Sequence, residues 1–401
     1  MNKDKLPTLL FALAILVFLI IIPIFTNKVF FADTTDYLGV ARYLHGDLKS
    51  IIRNTHSWDY GYFLSFFLKI WNSITLLRVI NSVWLILTAL VLYKLNKNKN
   101  VLFLWFFSPI VWYLAPYIHP LPMATFFLTL SYYYIKKYEE NKSIINLLFS
   151  GFLLGVSALV WDAVLILSFF FIVSFFFNKR LYEAAYFIVA FGISFSIKLL
   201  TDYLLFGIPL FSTFRQLGST LLFALRKVAF EDDSGSRYLL HFIPINLLLY
   251  LVIISPLFFM LYKSIRKEKE EFAFVLLVFG FFLLNNQPRY ALIIAPIALL
   301  LISRNINKKL LVANCIISVF LIGFVFHPAF SDKTDKYIGE DLKKIGDDFS
   351  GETFLSGSSI RGQEDDYLIF STLYYGGNIK EFVSWQDYNL DIKNETVFYE
   401  V

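Results

Sequence analysis

Two carboxylates, Asp33 and Asp36, lie three residues apart where the first long apolar segment ends and a helix-like run, Tyr37 to Leu44, begins. Residues at this spacing share one face of a helix, so both side chains can point at the same spot. A carboxylate there could act as a general base on an acceptor hydroxyl or amine. The same residues also fit helix capping, with Asp33 as the N-cap and Asp36 at the third helical position. No cofactor is certain, but a pair this close could hold a divalent cation.

Four residues in polar segments between apolar runs are candidates for binding a phosphate. Arg289 and Tyr290 end the polar turn that starts at Asn285, and an arginine there could bind phosphate oxygens bidentately. Arg215 and Arg237 lie in a long polar segment and could contact the same group. The alternative for Arg289 is an ordinary arginine whose side chain extends along apolar surface to reach a membrane interface.

A further group of polar residues lies near predicted helix ends and could line a cleft for the acceptor. These residues are His56, Asp59, His119 and Asp162. Each is equally compatible with an ordinary role in a loop. Lys198 stands at the end of an apolar segment, where the long lysine side chain commonly reaches the interface.

The composition indicates a membrane protein. The chain has 401 residues, of which 57% are hydrophobic, and 46 of them are Phe. The apolar residues occur in runs close to the roughly 20 residues that cross a bilayer as a helix. We therefore predict an all-α polytopic membrane protein with about eleven transmembrane helices. The predicted bounds are 6–26, 74–93, 101–117, 121–135, 143–160, 163–178, 181–200, 238–262, 271–284, 290–303 and 309–326.

The distribution of basic residues predicts the orientation of these helices. One alternating set of short loops holds 17 Lys and Arg residues, whereas the much longer loops of the opposite set hold 10. Short loops rich in Lys and Arg stay in the cytoplasm, so the N-terminus is predicted to be cytoplasmic. An odd number of helices then places the long loops and the C-terminal tail outside a multi-pass cell membrane. Because topology accounts for the basic loops, they do not indicate nucleic-acid binding.

Two of the predicted outer segments are long enough to contribute to a site. Residues 27–73 include an apolar helix, 62–71, which is too short to cross a bilayer and is expected to lie in the interface. Residues 201–237 include an amphipathic helix at 214–228. The membrane domain, 1–326, is therefore predicted to carry the catalytic residues.

The tail, 327–401, differs from the rest of the chain in charge and in pattern. It has 15 Asp and Glu against 7 Lys and Arg, whereas the rest has 16 against 29. Helices that alternate with short strands predict a small extracytoplasmic α/β domain. The predicted helices are 337–345 and 366–375, and the predicted strands are 353–355, 381–383 and 396–398. The single cysteine, Cys315, excludes an intrachain disulfide.

Several short stretches along the chain form a familiar pattern. They are Asp33-Thr34-Thr35-Asp36-Tyr37, Ala41-Arg42-Tyr43-Leu44, Tyr60-Gly61-Tyr62, the glycine-containing span from Gly151 to Leu159, and Arg289-Tyr290 before Pro296. In this order the chain resembles the GT-C superfamily of membrane glycosyltransferases, most closely the branch of protein O-mannosyltransferases and aminoarabinose transferases. The resemblance implies inverting transfer of a monosaccharide from a polyprenyl-phosphate carrier to a glycan, lipid or protein acceptor outside the membrane. It also implies that Asp33 is the base and that Arg289 binds the phosphate.

Two other functions fit a polytopic membrane protein. A transporter or flippase of lipid-linked or small substrates would carry charges in the middle of its spans, whereas this chain keeps nearly all of them at span ends. An oligosaccharide polymerase or ligase would also have one large outer loop, but the carboxylates directly after the first span argue against it. A non-catalytic membrane scaffold that presents the tail is the remaining alternative.

Overall fold

The computed structural model describes residues 5–26, 33–47, 58–224, 248, 251–265, 268–284, 288–326, 353–356 and 381–384. This part of the chain is mostly helical. It divides into two compact units. The first unit takes its described residues from Met1–Ile22, Asn81–Pro116 and Pro120–His327, and the second from Pro23–Ile80, Tyr117–His119 and Pro328–Val401.

The helices follow one another with short connections. From the N-terminus they are α1 (Lys5–Leu16), a π-helical turn (Val17–Ile21), α2 (Ile22–Phe25), α3 (Asp33–His45), α4 (Trp58–Ile70), α5 (Ile74–Asn96), α6 (Asn100–Phe106), α7 (Pro109–Leu114) and α8 (Pro120–Asn141). They continue with α9 (Ile144–Val160), α10 (Val164–Phe177), α11 (Leu181–Phe206), α12 (Phe211–Ala224) and α13, which is described at 248 and 251–254. A 3₁₀ helix (Phe258–Ser264), α14 (Lys269–Leu284), a 3₁₀ turn (Pro288–Tyr290), α15 (Ala291–Asn305) and α16 (Lys308–Phe326) complete the series.

The core of the first unit is built around α15. Every residue from Ala291 to Ser303 in this helix is buried, as expected for a helix that is apolar on all sides. It packs against α6, α7, α8 and α14. Its internal Pro296 is buried with the rest of the helix.

A close contact between α9 and α11 depends on two glycines four residues apart. A Cβ added at Gly151 would lie 2.4 Å from the carbonyl oxygen of Phe187, and one at Gly155 would lie 2.0 Å from Ser194 Oγ. Small residues at this spacing allow helix backbones to approach closely in the way common among membrane helices. On its other side α9 packs against α8, where the hydroxyls of Ser131 and Ser150 each donate to the other residue's carbonyl.

The second unit contains α3 and α4, which pack directly against each other. A Cβ at Gly61 would lie 2.6 Å from Val40 Cβ, so this contact also requires glycine. The same unit includes two four-residue strands, β1 (Thr353–Ser356) and β2 (Glu381–Ser384). They pair in parallel, with Thr353 opposite Glu381 and Ser356 opposite Ser384. Both strands lie where the sequence predicted them, whereas the predicted elements at 337–345, 366–375 and 396–398 lie outside the described residues.

Most of the predicted apolar spans are helical, but two predictions of a continuous helix are wrong. The segment 101–117 is divided into α6 and α7, because Ser108 is extended (φ −76°, ψ 123°) and Pro109 begins the next helix. A residue before proline is disfavoured in the helical region. The segment predicted at 238–262 leaves the α-helical conformation at Ser255, directly before Pro256, and most of its earlier part lies outside the described residues.

Among the described residues, two helices are long and apolar enough to cross a membrane. They are α5, Ile74–Asn96, and α11, Leu181–Phe206. Four shorter apolar helices are Phe11–Phe25, Ile144–Val160, Val164–Phe176 and Ala291–Asn305. Length and composition support membrane association at this level, and the number and direction of the crossings remain predictions.

Candidate functional site

The predicted catalytic pair lies at the start of α3 in the second unit. The helix begins at Asp33 and includes Asp36, so the two residues belong to one helical turn rather than to a preceding loop. Their spacing on a helix is therefore confirmed. The side chains of both residues lie outside the described part of the structure, and the choice between a base and a helix cap stays a prediction.

The residues that follow Asp33 pack against the segment before α8. Thr34 is completely buried, and its hydroxyl donates to the carbonyl oxygen of Ile118 at 2.9 Å. The Tyr37 ring packs edge-on against Tyr60, with 5.2 Å between ring centroids, and against His119 at 6.5 Å. The structure thus brings His119, a predicted acceptor-site residue, beside the helix that carries the predicted base. His119 is itself 1% exposed.

The remaining second-unit candidates lie at the start of α4. Asp59 is in the first turn of this helix, next to Tyr60. Tyr60 is buried, and burial raises the pKa of its phenol well above the usual range, so it stays protonated. His56 lies outside the described residues.

A buried arginine that the sequence did not single out holds α3 in place. Arg42 is 1% exposed, and its Nη1 donates to Asp47 Oδ2 at 2.7 Å and to Asn72 Oδ1. His45 Nδ1 lies 2.8 Å from the other Asp47 oxygen. Burial lowers the pKa of Arg42, and the neighbouring Asp47 carboxylate opposes that shift. The group ties the C-terminal end of α3 to the residues that follow α4.

In the first unit, the predicted phosphate residues lie at the N-terminal end of α15. Arg289 and Tyr290 belong to the 3₁₀ turn that precedes this helix, and each is 5% exposed. The Arg289 guanidinium carbon lies 5.4 Å from the centroid of the Tyr290 ring, and that ring packs on Trp161 at 5.2 Å. The arginine is therefore enclosed by the protein against an aromatic face, a favourable arrangement for a cation.

Directly beyond Trp161 lies a buried cluster of charged and hydroxyl groups. Lys198 Nζ is 2.8 Å from Asp162 Oδ1 and 3.0 Å from Ser212 Oγ. The Ser212 hydroxyl and backbone N–H are also within hydrogen-bond distance of the Asp202 carboxylate, at 2.8 and 3.0 Å. Thr213 Oγ1 donates to Asp162 Oδ1 at 2.7 Å. The cluster fixes the start of α12 to the ends of α9 and α11.

This cluster differs from the sequence interpretation of its members. Lys198 is 0% exposed, so its side chain does not extend to a surface. Asp162 is 2% exposed and paired with that lysine. Asp202 was missed, although it stands four residues after Lys198 and therefore on the same face of one helix. That spacing was the available signal.

The two remaining arginine candidates are less constrained. Arg215 is exposed on α12, three residues after Ser212. Arg237 lies outside the described residues. Neither is brought to the Arg289 turn by any contact within the described part of the chain.

No cluster of three or more His, Cys, Asp or Glu side chains suited to a metal ion occurs in the described part of the chain. The side chains of Asp33 and Asp36 fall outside that part. A divalent cation at this pair therefore stays an expectation from the sequence alone.

No model of a known protein family matches the chain, and no curated protein matches it. The function therefore has to be inferred from the residues and their surroundings.

Proposed function

We propose that the chain is a polytopic membrane glycosyltransferase of the GT-C type. It would move a monosaccharide, such as a mannosyl group, from a polyprenyl-phosphate carrier to a glycan, lipid or protein acceptor at the outer face of the cell membrane. The observation that carries the proposal is the enclosed guanidinium of Arg289 beside Tyr290 and Trp161. A buried arginine can bind phosphate oxygens through two parallel hydrogen bonds, which suits a lipid-linked phosphate.

The surface of α11 supports the membrane part of the proposal. A stripe of large side chains at intervals of three or four residues is exposed along the whole helix: Tyr182, Tyr186, Val189, Ile193, Ile197, Leu200 and Leu204. The helix has 26 residues and so extends about 39 Å, which exceeds the roughly 30 Å of a bilayer core. A continuous apolar surface of this length is rare on proteins that face only water.

The proposed reaction is an inversion at the anomeric carbon. Asp33 takes the proton from the acceptor oxygen or nitrogen as that atom attacks the anomeric carbon. The bond between this carbon and the phosphate oxygen breaks, and the carrier leaves as polyprenyl phosphate with one more negative charge. Arg289 would stabilise that charge. Each role is tested separately below.

The decisive assay is sugar transfer by purified protein, with a polyprenyl-phosphate monosaccharide as donor and released polyprenyl phosphate as the readout. Asp33→Asn keeps the shape of the side chain but cannot accept a proton at neutral pH, so we expect turnover to fall by about a hundredfold or more. Asp36→Asn should have a smaller effect. If Asp33 only caps α3, Asn should replace it with little loss, because it caps about as well as Asp.

The role of Arg289 is tested by graded substitutions. Arg289→Lys keeps the charge but loses the two-pronged geometry, so partial activity is expected, whereas Arg289→Ala should lose far more. Arg304→Lys is a matched control, because Arg304 lies at the other end of α15 in a part-exposed ion pair with Glu268. Thermal unfolding of each variant separates a binding defect from a folding defect. Donor turnover at the wild-type rate by Arg289→Ala would exclude this role.

The topology is tested with single cysteines in a Cys315→Ala background. Cysteines at Lys97 and Lys267 are predicted to be cytoplasmic, and those at Asp33, Ser234 and Lys344 outside. An impermeant thiol reagent added to intact cells should label only the second set. Labelling at Lys97 without labelling at Ser234 would reverse the orientation and contradict transfer at the outer face.

A further inference from the structure

A cleft at the opposite end of the first unit combines aromatic walls with charged groups. Its empty volume is about 510 Å³, and it lies where α8, α10 and α14 meet. The aromatic part includes Phe170, Phe171, Phe175 and Phe274, and the first two of these pack on Phe274 with centroids 5.5 and 5.6 Å away. Two cations and three carboxylates line the rest: Lys136, Arg180, Glu139, Glu270 and Glu271. These charged residues flank loops that the basic residues predict to be cytoplasmic.

Some of the charges in this cleft already neutralise one another. Lys136 Nζ lies 3.0 Å from Glu139 and 3.0 Å from Glu271. Glu271 also accepts a hydrogen bond from the Tyr132 hydroxyl at 2.7 Å and is 9% exposed. This group forms the closed, inner side of the cleft and leaves little room for another ion.

Two groups of opposite sign are left available. Arg180 Nη2 is buried and makes no hydrogen bond, although the guanidinium packs on Tyr138 and Phe175 and its Nε is 3.5 Å from Glu183. Glu270 is exposed and accepts a hydrogen bond from Asn178 at 3.2 Å. Within the described part of the chain, Glu270 has no ion-pair partner. The cleft thus offers one free donor from a cation and one free carboxylate beside an aromatic wall.

We infer that this cleft binds a phospholipid whose headgroup carries both a phosphate and a primary ammonium. Arg180 would donate to the phosphate, Glu270 would accept from the ammonium, and the acyl chains would lie on the phenylalanine wall. The formal charge of the lining is −1, from two cations and three carboxylates, which disfavours a purely anionic headgroup. A primary ammonium has three N–H donors for the Glu270 carboxylate, whereas a quaternary ammonium has none.

The inference depends on the membrane placement proposed above and not on the transfer reaction. It goes beyond the proposed function because the residues belong to the end predicted to be cytoplasmic, whereas transfer is proposed at the outer face. Loss of sugar transfer would therefore leave it intact. Recovery of the full chain in the soluble fraction without detergent would instead contradict the membrane placement itself.

The test is native mass spectrometry of the full-length protein in detergent, titrated with phosphatidylethanolamine, phosphatidylcholine or phosphatidylglycerol. We expect the ethanolamine lipid to bind at least about tenfold more tightly than the other two, since a charge-assisted hydrogen bond of ordinary strength supplies that ratio. Glu270→Gln should remove most of this preference and improve binding of the glycerol lipid, because the lining becomes neutral. Arg180→Gln should weaken binding of all three.

Matched controls lie on the same end of the unit. Glu140→Gln and Lys137→Gln change exposed residues of α8 that do not line the cleft, and both should leave lipid binding unchanged. Thermal unfolding in detergent without lipid identifies a variant that has lost its fold. Should Arg180→Gln prove unstable, Glu270→Gln alone still decides the question, because Glu270 is exposed. Equal binding of the three lipids by the wild type, or equal effects of Glu270→Gln and Glu140→Gln, overturns the inference.

Discussion

The buried cluster around Lys198 gives the sharpest prediction for the stability of the first unit. One ammonium group serves Asp162 directly at 2.8 Å and Asp202 through Ser212, and the exposed fractions of the three charged residues are 0%, 2% and 2%. Lys198→Met keeps an unbranched apolar stem but removes the charge. Two carboxylates would then be buried without a cation. Removing one partner of a buried ion pair costs about 3–5 kcal/mol, so we expect the free energy of unfolding to fall by about that amount.

A second substitution tests whether the cost comes from the stranded charge. Asp162→Asn, added to Lys198→Met, removes one of the two carboxylates while its amide oxygen can still accept from Thr213. We expect the double variant to recover about 1–3 kcal/mol relative to Lys198→Met, in the range of coupling energies between residues in contact. Trp161 stands next to Asp162 and provides a fluorescence signal. Denaturant unfolding in mixed micelles gives the free energies.

The control is Lys94→Met, which changes an exposed lysine in the last turn of α5. Its effect should stay within about 0.5 kcal/mol, as for most surface substitutions. The reasoning is refuted if Lys198→Met destabilises no more than Lys94→Met, or if Asp162→Asn makes the Lys198→Met protein less stable. Either result would mean that water or another cation reaches the carboxylates in solution.

Two other regions of the first unit allow similar tests. Gly155→Ala should destabilise the protein by about 1–3 kcal/mol in thermal unfolding, because its methyl group would overlap Ser194 Oγ, whereas Gly192→Ala, with nothing within 4 Å of the new Cβ, should be neutral or slightly stabilising. A second test concerns Lys136, one residue beyond a predicted span. Burial alone would lower its pKa, but Glu271 and Glu139 more than compensate, and the pKa is raised above 10.5. The ion pair therefore contributes stability below about pH 10.5 that declines as the pH rises further. Lys136→Met should make the unfolding midpoint less dependent on pH in that range, and an unchanged pH profile would contradict the pairing.

The positions of most helices could be predicted because each depends on a local property. Apolar runs between charged loops predicted α8, α9, α10 and α16 to within a few residues, apart from an extension of α8 to Asn141. The exception at 101–117 was also visible locally, in the proline at position 109. Apolar content outweighed that proline in the prediction, although proline removes a backbone donor and constrains its predecessor.

The surroundings of the polar residues could not be predicted in the same way. Arg289 and Lys198 were both assigned to helix ends, and both lie there, but their burial depends on partners far along the chain. Lys198 meets Asp162 from another helix, and Tyr290 meets Trp161 across more than a hundred residues. A single sequence contains the period of each helix but not the pairing of helix faces. The i, i+4 relation of Lys198 and Asp202 is the local trace that such burial leaves.

The two ends of the first unit treat their charges differently, and this difference bears on function. At the Arg289 end, the cations lie against aromatic rings or within a satisfied cluster, so the charge is held rigidly and kept from water. At the Lys136 end, charges line an open cleft and are partly exposed. Rigid, desolvated charge is suited to stabilising charge that develops during a reaction, since no reorganisation is needed at that moment. Part-exposed charge is suited to exchangeable binding. The structure therefore favours chemistry at the first end and lipid binding at the second.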